Sequence, residues 1–132
     1  MSEENIELSK RVVEAWNRRD VEATIALADP EVVWHPVLEE TIEGQAYRGH
    51  AGLRQYYEDL ADQGVESQGV LPEYRDLGDR VLGLGHLSFR SSSGVELDSE
   101  VACIWRWRDG RCVEAQTWLS HAHALEAAGI SE

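Results

Sequence analysis

The sequence predicts an α+β fold: a cone-shaped, curved, mixed but mainly antiparallel sheet packed on three main helices, with an internal pocket between them. Three observations carry this. Helical periodicity dominates up to Gln63 and is interrupted by one short apolar strand, whereas from Val65 onward the apolar period becomes two. The phrase Val33-Trp34-His35-Pro36 sets a titratable imidazole at the end of that early strand. The resulting order, helix, helix, strand, helix and then four long strands, suits a sheet curved around its helices.

The first helix spans Glu4 to Arg19. Ser2, Glu4 and Asn5 give it an acidic, cap-capable start, and Ile6, Ser9, Val13 and Trp16 share one face. Asn17-Arg18-Arg19-Asp20 breaks the pattern, and Asp20 caps a compact second helix over Val21 to Ala28. Asp29-Pro30 stops it, because proline lacks an amide donor and pushes its predecessor out of the helical region. Glu31 to His35 reads as a strand closed by Pro36, and Val37 to Gly49 as a loop. The third long helix covers His50 to Gln63, with Leu53, Tyr56, Tyr57 and Leu60 on one face. Strands follow at 65–76, 80–90, 95–108 and 111–120. Gly78-Asp79, Ser91 to Gly94 and Asp109-Gly110 are the turns, the last with type I′ character. A closing helix over His121 to Ala128 has Ser120 as its cap and Gly129 as its stop. The hairpins form a meander, with the helices expected on one face of it.

At 132 residues, without repeat or linker, the chain reads as a single domain over 1–132. Its 25 acidic residues against 12 basic ones give a net charge of −13, which repels phosphate backbones and anionic lipid. Neither nucleic acid nor a membrane surface is therefore an expected partner. No run approaches the ~20 apolar residues that span a bilayer, and no N-terminal stretch resembles a signal peptide. Cys103 and Cys112 lack CxxC spacing, so no disulfide framework is expected and a reducing cytoplasm is the predicted location.

Four phrases, Glu14–Pro36, Tyr47–Ala61, Leu77–Gly85 and Trp105–Trp118, together with the ending Ala124–Ile130, resemble the SnoaL-like branch of the nuclear transport factor 2 (NTF2)-like superfamily. The resemblance implies a ketosteroid isomerase-like, cystatin-like cone fold. It spans isomerases, polyketide cyclases, epoxide hydrolases and pocketed proteins without chemistry, so fold does not fix function. It puts His35 where ketosteroid isomerases place a catalytic carboxylate. Their oxyanion-hole tyrosine falls at Val12 and their protonated aspartate at Cys103, while Tyr57 matches a supporting tyrosine. The frequent acid near the end of the last strand of SnoaL-like cyclases is Ser120. The same correspondence turns Leu82, Leu84, His86 and Ser88 inward on one strand and Val101, Cys103, Trp105 and Trp107 on the next. It lines the pocket with Val12, Trp16, Val33, Tyr56, Leu84, Cys103, Trp105 and Leu119. The outer sheet face, with Gly83, Gly85, Ala102, Ile104 and Trp118, is expected to form a homodimer interface.

His35 is the leading candidate, because an imidazole needs little tuning to act as a base near neutral pH. The plainer alternative is a strand-end histidine bonded to a loop. His86 could share acid–base work or merely fill a half-wet wall, and Tyr57 could polarise a ligand oxygen or simply pack. If His35 faces in, its neighbour Trp34 faces away. Asp98 and Glu100 read as a solvated outer pair, and Cys103 as a small core residue. His121 and His123 splay on a helix and read as a solvated end, so no metal site is expected, and no cofactor. Five tryptophans suggest flat walls for a planar ligand.

Two functions remain open. One is a cofactor-independent isomerase, cyclase or hydrolase acting on an apolar oxygenated small molecule through His35, His86 and Tyr57. The other is a non-catalytic ligand-binding or sensing module. A purely structural dimerisation domain is a third possibility.

Overall fold

The computed structural model describes residues 2–37, 46–62, 66–90 and 93–130. In chain order the elements are α1 (Ser2–Asn17), α2 (Val21–Leu27), β1 (Ala28–Val37), β2 (Tyr47–Arg48), α3 (Gly49–Asp62), β3 (Glu66–Asp76), β4 (Arg80–Arg90), β5 (Glu96–Arg108), β6 (Arg111–Trp118) and α4 (His121–Ala128). The six strands form one sheet ordered β2-β1-β6-β5-β4-β3, in which only β1 and β6 run parallel. The expected loop over Val37 to Gly49 lies largely outside the described residues, as does part of the Ser91 to Gly94 turn.

Ser9, Val12 and Ala15 bury one face of α1. Ser9 is fully buried, yet its hydroxyl donates to the Asn5 carbonyl (2.8 Å) and accepts from the Trp107 indole (2.8 Å). α1 ends in a Schellman pattern, with Arg19 N–H on Trp16 O (2.9 Å) and Asp20 N–H on Ala15 O (2.8 Å). Arg19 therefore takes φ +57, in the place glycine usually fills. Asp20 caps α2 as its sequence position predicts, accepting from Ala23 N–H at 3.0 Å.

β1 differs from its expected bounds. It begins at Ala28 and runs through Pro36, so neither Pro30 nor Pro36 bounds it. Both prolines fall where the β1–β6 register shifts, between Ala28 and Val33 and between Trp34 and Val37, so the missing donors break no regular ladder.

The facing of β4 is also reversed from expectation. β4 and β5 pair without irregularity, Val81 opposite Trp105 and Gly83 opposite Cys103, and directly opposed residues share a face. With Trp105 and Cys103 turned toward the helices, Val81, Gly83, Gly85 and Leu87 turn inward, while Leu82, Leu84, His86 and Ser88 turn outward. The two glycines make room inside. A Cβ on Gly83 would sit 2.9 Å from the Trp105 ring, and one on Gly85 2.0 Å from the Val70 carbonyl, where β3 bulges.

The outer face is not bare. α4 lies on it, and Ala124 and Ala128, with Leu125 and Ile130, cover Leu82, Leu84, Ala102, Ile104 and Trp118. Helices thus occupy both sides of the sheet rather than one. The expected solvated end of α4 is instead anchored: His121 donates from Nε2 to the Gly85 carbonyl (2.8 Å), and its backbone N–H bonds Glu100 Oε1 (2.9 Å).

Candidate functional site

Between α1, α3 and the inner sheet face lies an aromatic interior. Val12, Trp34, Leu53, Val81, Trp105 and Trp107 form its buried body, with Tyr56, Tyr74 and Cys103 packed against it. Tyr56 is the hub. Its ring lies 5.9 Å from Trp34, 5.3 Å from Tyr47 and 5.4 Å, edge-on, from Tyr57. Its hydroxyl accepts from the Trp16 indole at 2.8 Å. Such tilted ring pairs satisfy the quadrupoles while burying large apolar area. Burial raises the pKa of Tyr56, and pushes the Tyr57 phenol, 2.7 Å from Thr24 Oγ1, up to about 12. Both stay neutral near pH 7. Burial likewise pushes the Cys103 thiol up to about 11 beside Thr117 (3.7 Å), which makes it a poor nucleophile.

Of the residues singled out in the sequence, Val12, Trp16, Tyr56, Tyr57, Cys103 and Trp105 converge in this interior. Others do not. Leu84 lies beneath α4 on the outer face, and Leu119 follows the last strand residue, half-buried. Val33 pairs with Glu114 across the parallel ladder and shares its outward side. The Trp34–His35 alternation holds but with opposite sign: Trp34 is in the core, and His35 is outside.

There His35 makes a defined contact. Its Nε2 is 3.0 Å from Glu114 Oε2, and Glu114 Oε1 is 3.7 Å from Arg106 Nη1. Arg106 Nε is in turn 3.8 Å from Asp79. A carboxylate only accepts, so neutral His35 carries its proton on Nε2 and leaves Nδ1 as a lone pair. His86 is exposed on the outer face, its ring 6.0 Å from that of His121. The three expected catalytic residues thus occupy three separate places, because β1 and β4 both present their histidines to the convex side.

An open cleft of about 730 Å³ lies where the end of α1 meets α3 and the start of β3. Tyr57, Leu60, Val21 and Phe89 give it apolar walls, and Asn17, Arg19, Ser67 and Gln68 polar ones. Asn17 grips the Gly69 backbone through both amide atoms, at 2.9 and 2.8 Å, and pins α1 to β3. Arg19 stacks on the Trp16 ring at 4.1 Å and donates to Ser67 Oγ at 2.7 Å. Arg19 escaped the sequence reading. Its one signal is a helix end, Asn17-Arg18-Arg19-Asp20, with no glycine at the position that wants a left-handed residue.

The elements make an α+β protein with an open curved sheet, a fold shared with structures described as NTF2-like and ketosteroid isomerase-like. The chain belongs to the SnoaL-like domain family, whose model matches residues 9–115. Solved structures share the fold. An NTF2-like protein of unknown function from Burkholderia pseudomallei superposes with TM-score 0.78 at 22% identity, covering 93% of this chain and 95% of its own. TerC, co-crystallised with polyporic acid, gives 0.76 at 23%, covering 96% and 98%. A protein provisionally named a SnoaL-like polyketide cyclase from Jannaschia sp. gives 0.77 at 16%, covering 99% and 95%. A comparison with curated proteins finds no match. No helix among the described residues is long and apolar enough to cross a membrane.

Proposed function

We propose that this domain binds a flat, largely apolar, oxygenated small molecule between the helices and the inner sheet face, and that binding rather than histidine chemistry is its main role. One observation carries the reading: Tyr57 belongs to both regions, meeting Tyr56 edge-on inside and lining the cleft outside. An apolar wall with a few placed polar groups is the usual make-up of a small-molecule site. Among the described residues no histidine lines that cleft. The neutral phenol of Tyr57, which lines the cleft, can orient a ligand carbonyl or hydroxyl, but it is a poor proton acceptor. The crystallisation of TerC with polyporic acid supports an organic ligand for this fold.

Titrating tryptophan fluorescence against two- and three-ring aromatic ketones, phenols and acids, with product analysis alongside, tests this. Saturable change without product is the expected result. No saturation by any compound would overturn the reading.

The His35–Glu114 contact favours a second reading, a cofactor-independent isomerase, cyclase or hydrolase with His35 as base. A carboxylate that holds one ring nitrogen frees the other to take a proton. If product forms, His35→Ala should lower turnover by about 10²–10⁴. An unaltered rate removes His35 from the mechanism.

The proposal extends to a homodimer in the cytoplasm. Both cysteines are free, which suits a reducing compartment. α4 packs against β5 and β6, whereas Val33, His35 and Glu114, on the β1 side of the outer face, stay only half-buried. That half is where a second copy would sit.

A further inference from the structure

We infer that the ligand is an organic anion, an aromatic carboxylate, and that Arg19 is the residue that selects it. This rests on the reading of the cleft as the ligand site and names what that site prefers.

Arg19 is a half-buried cation that makes no ion pair among the described residues. Its guanidinium donates to Trp16 O (2.7 Å) and to Ser67 O (3.3 Å) and Oγ (2.7 Å). A guanidinium has five N–H donors, so these three bonds leave Nε–H and one Nη1–H without an acceptor among the described residues. No carboxylate ion-pairs with it among those residues, although the chain carries 25 acidic side chains. Burial, the largest influence on it, lowers its pKa, as befits a charge removed from water without a counter-ion.

The other charged walls of the cleft are Glu66, Arg90 and Glu96. Arg90 pairs with Glu66 across β3–β4 and with Glu96 across β4–β5, the latter as a 3.7 Å ion contact. Neither carboxylate makes an ion pair with Arg19 among the described residues.

Its backbone adds an independent observation. Arg19 holds φ +57 at the helix end where glycine would be unstrained. That backbone anchors the side chain at one point, from which it reaches Trp16 and Ser67. Stacked on Trp16, the guanidinium is held in place, and its free Nε–H can give a carboxylate one charge-assisted hydrogen bond. Tyr57, Leu60 and Phe89 would take the aromatic body.

The test compares two probes of one shape, 2-naphthoate and the uncharged 2-naphthalenemethanol, by calorimetry on the full chain and on Arg19→Gly and Arg19→Lys. Glycine suits the left-handed backbone, so Arg19→Gly removes the cation without straining the helix end; melting curves verify its fold. Wild type should prefer the carboxylate by about tenfold or more, the size of one charge-assisted hydrogen bond. Arg19→Gly should bind both probes alike, with affinity for the alcohol kept. Arg19→Lys, which retains the charge but not the stacked, fixed donor, should fall between. Equal affinities in wild type, or a preference that survives Arg19→Gly, would overturn the inference and leave Arg19 as a staple between α1 and β3, with the cleft still a binding site. Binding of neither probe to wild type would overturn the cleft reading, and the inference with it.

Discussion

The Trp107 indole N–H ends on the hydroxyl of Ser9, 2.8 Å away and fully buried, and so ties β5 to the middle of α1. Ser9→Ala keeps the volume nearly unchanged but strands a buried donor, which costs about 1–3 kcal/mol. Urea unfolding should show a lower midpoint with an unchanged slope. An unmoved midpoint would mean that Trp107 finds another acceptor.

Gly85 should tolerate no side chain. Its Cβ would meet the Val70 carbonyl at 2.0 Å and Leu71 Cα at 2.6 Å, both backbone, so β3 itself must move. Gly85→Ala should lose about 3 kcal/mol or more through overpacking. Gly78→Ala, by contrast, meets nothing within 4 Å and strains only its φ of +90, so the smaller penalty there is the control. Comparable melting temperatures for the two variants would contradict the placement of the β3 bulge.

Acid should loosen α4. The Glu100 carboxyl is held below its ordinary value, first by the His121 backbone N–H and then by the charge of His121. A carboxylate depressed by folding stabilises above its unfolded pKa and loses that contribution as pH falls through the lower folded value. Glu100→Ala should therefore be less stable than wild type at neutral pH, and the gap should close as pH falls through and below the ordinary carboxylate range. Because Glu100 is exposed, the effect is small and salt-sensitive. A gap that widens in acid would reverse the sign.

Light scattering at micromolar concentration should return about twice the 14.8 kDa chain mass. Val33→Asp, on the half of the outer face away from α4, should return the monomer mass. A wild-type monomer would refute the assembly part of the proposal.

Helix and strand positions were legible because capping residues and turns act locally. Asp20, Ser120 and Gly129 each cap as their chemistry dictates, and Asp109-Gly110 holds two positive φ values of 53 and 76 as a type I′ turn requires. The element bounds from Glu66 to Ala128 follow within a residue or two. Facing was not legible for β1 and β4. Alternation tells which residues share a side but not which side, and that choice is made by the partner strand. For β4 it is Trp105 opposite Val81 that decides, and Gly83 and Gly85 yield space to an aromatic ring and a bulge that no local pattern announces. The role of α4 was missed for the same reason, since Ala124 and Ala128 look too small to cover a sheet until Leu82, Ile104 and Trp118 lie beneath them. The aromatic interior was legible in kind, because Trp16, Tyr56 and Trp105 have few other places to go. The cleft was not, because Arg19 sits at a helix end that reads as punctuation.

The strand order sets a condition on how the chain can be made. β6 lies between β1 and β5, so β1 is joined to the meander only through residues emerging about eighty positions later, Val33 beside Glu114. During synthesis the β3–β4–β5 meander can form as it leaves the ribosome, whereas β1 waits with only the two-residue β2 as its sheet partner. Joining β1 to the rest of the sheet is thus deferred to the last strand. Until then Trp34 has no β6 against which to bury, and a nascent chain stalled before Arg111 presents an open edge where the finished protein has a wall.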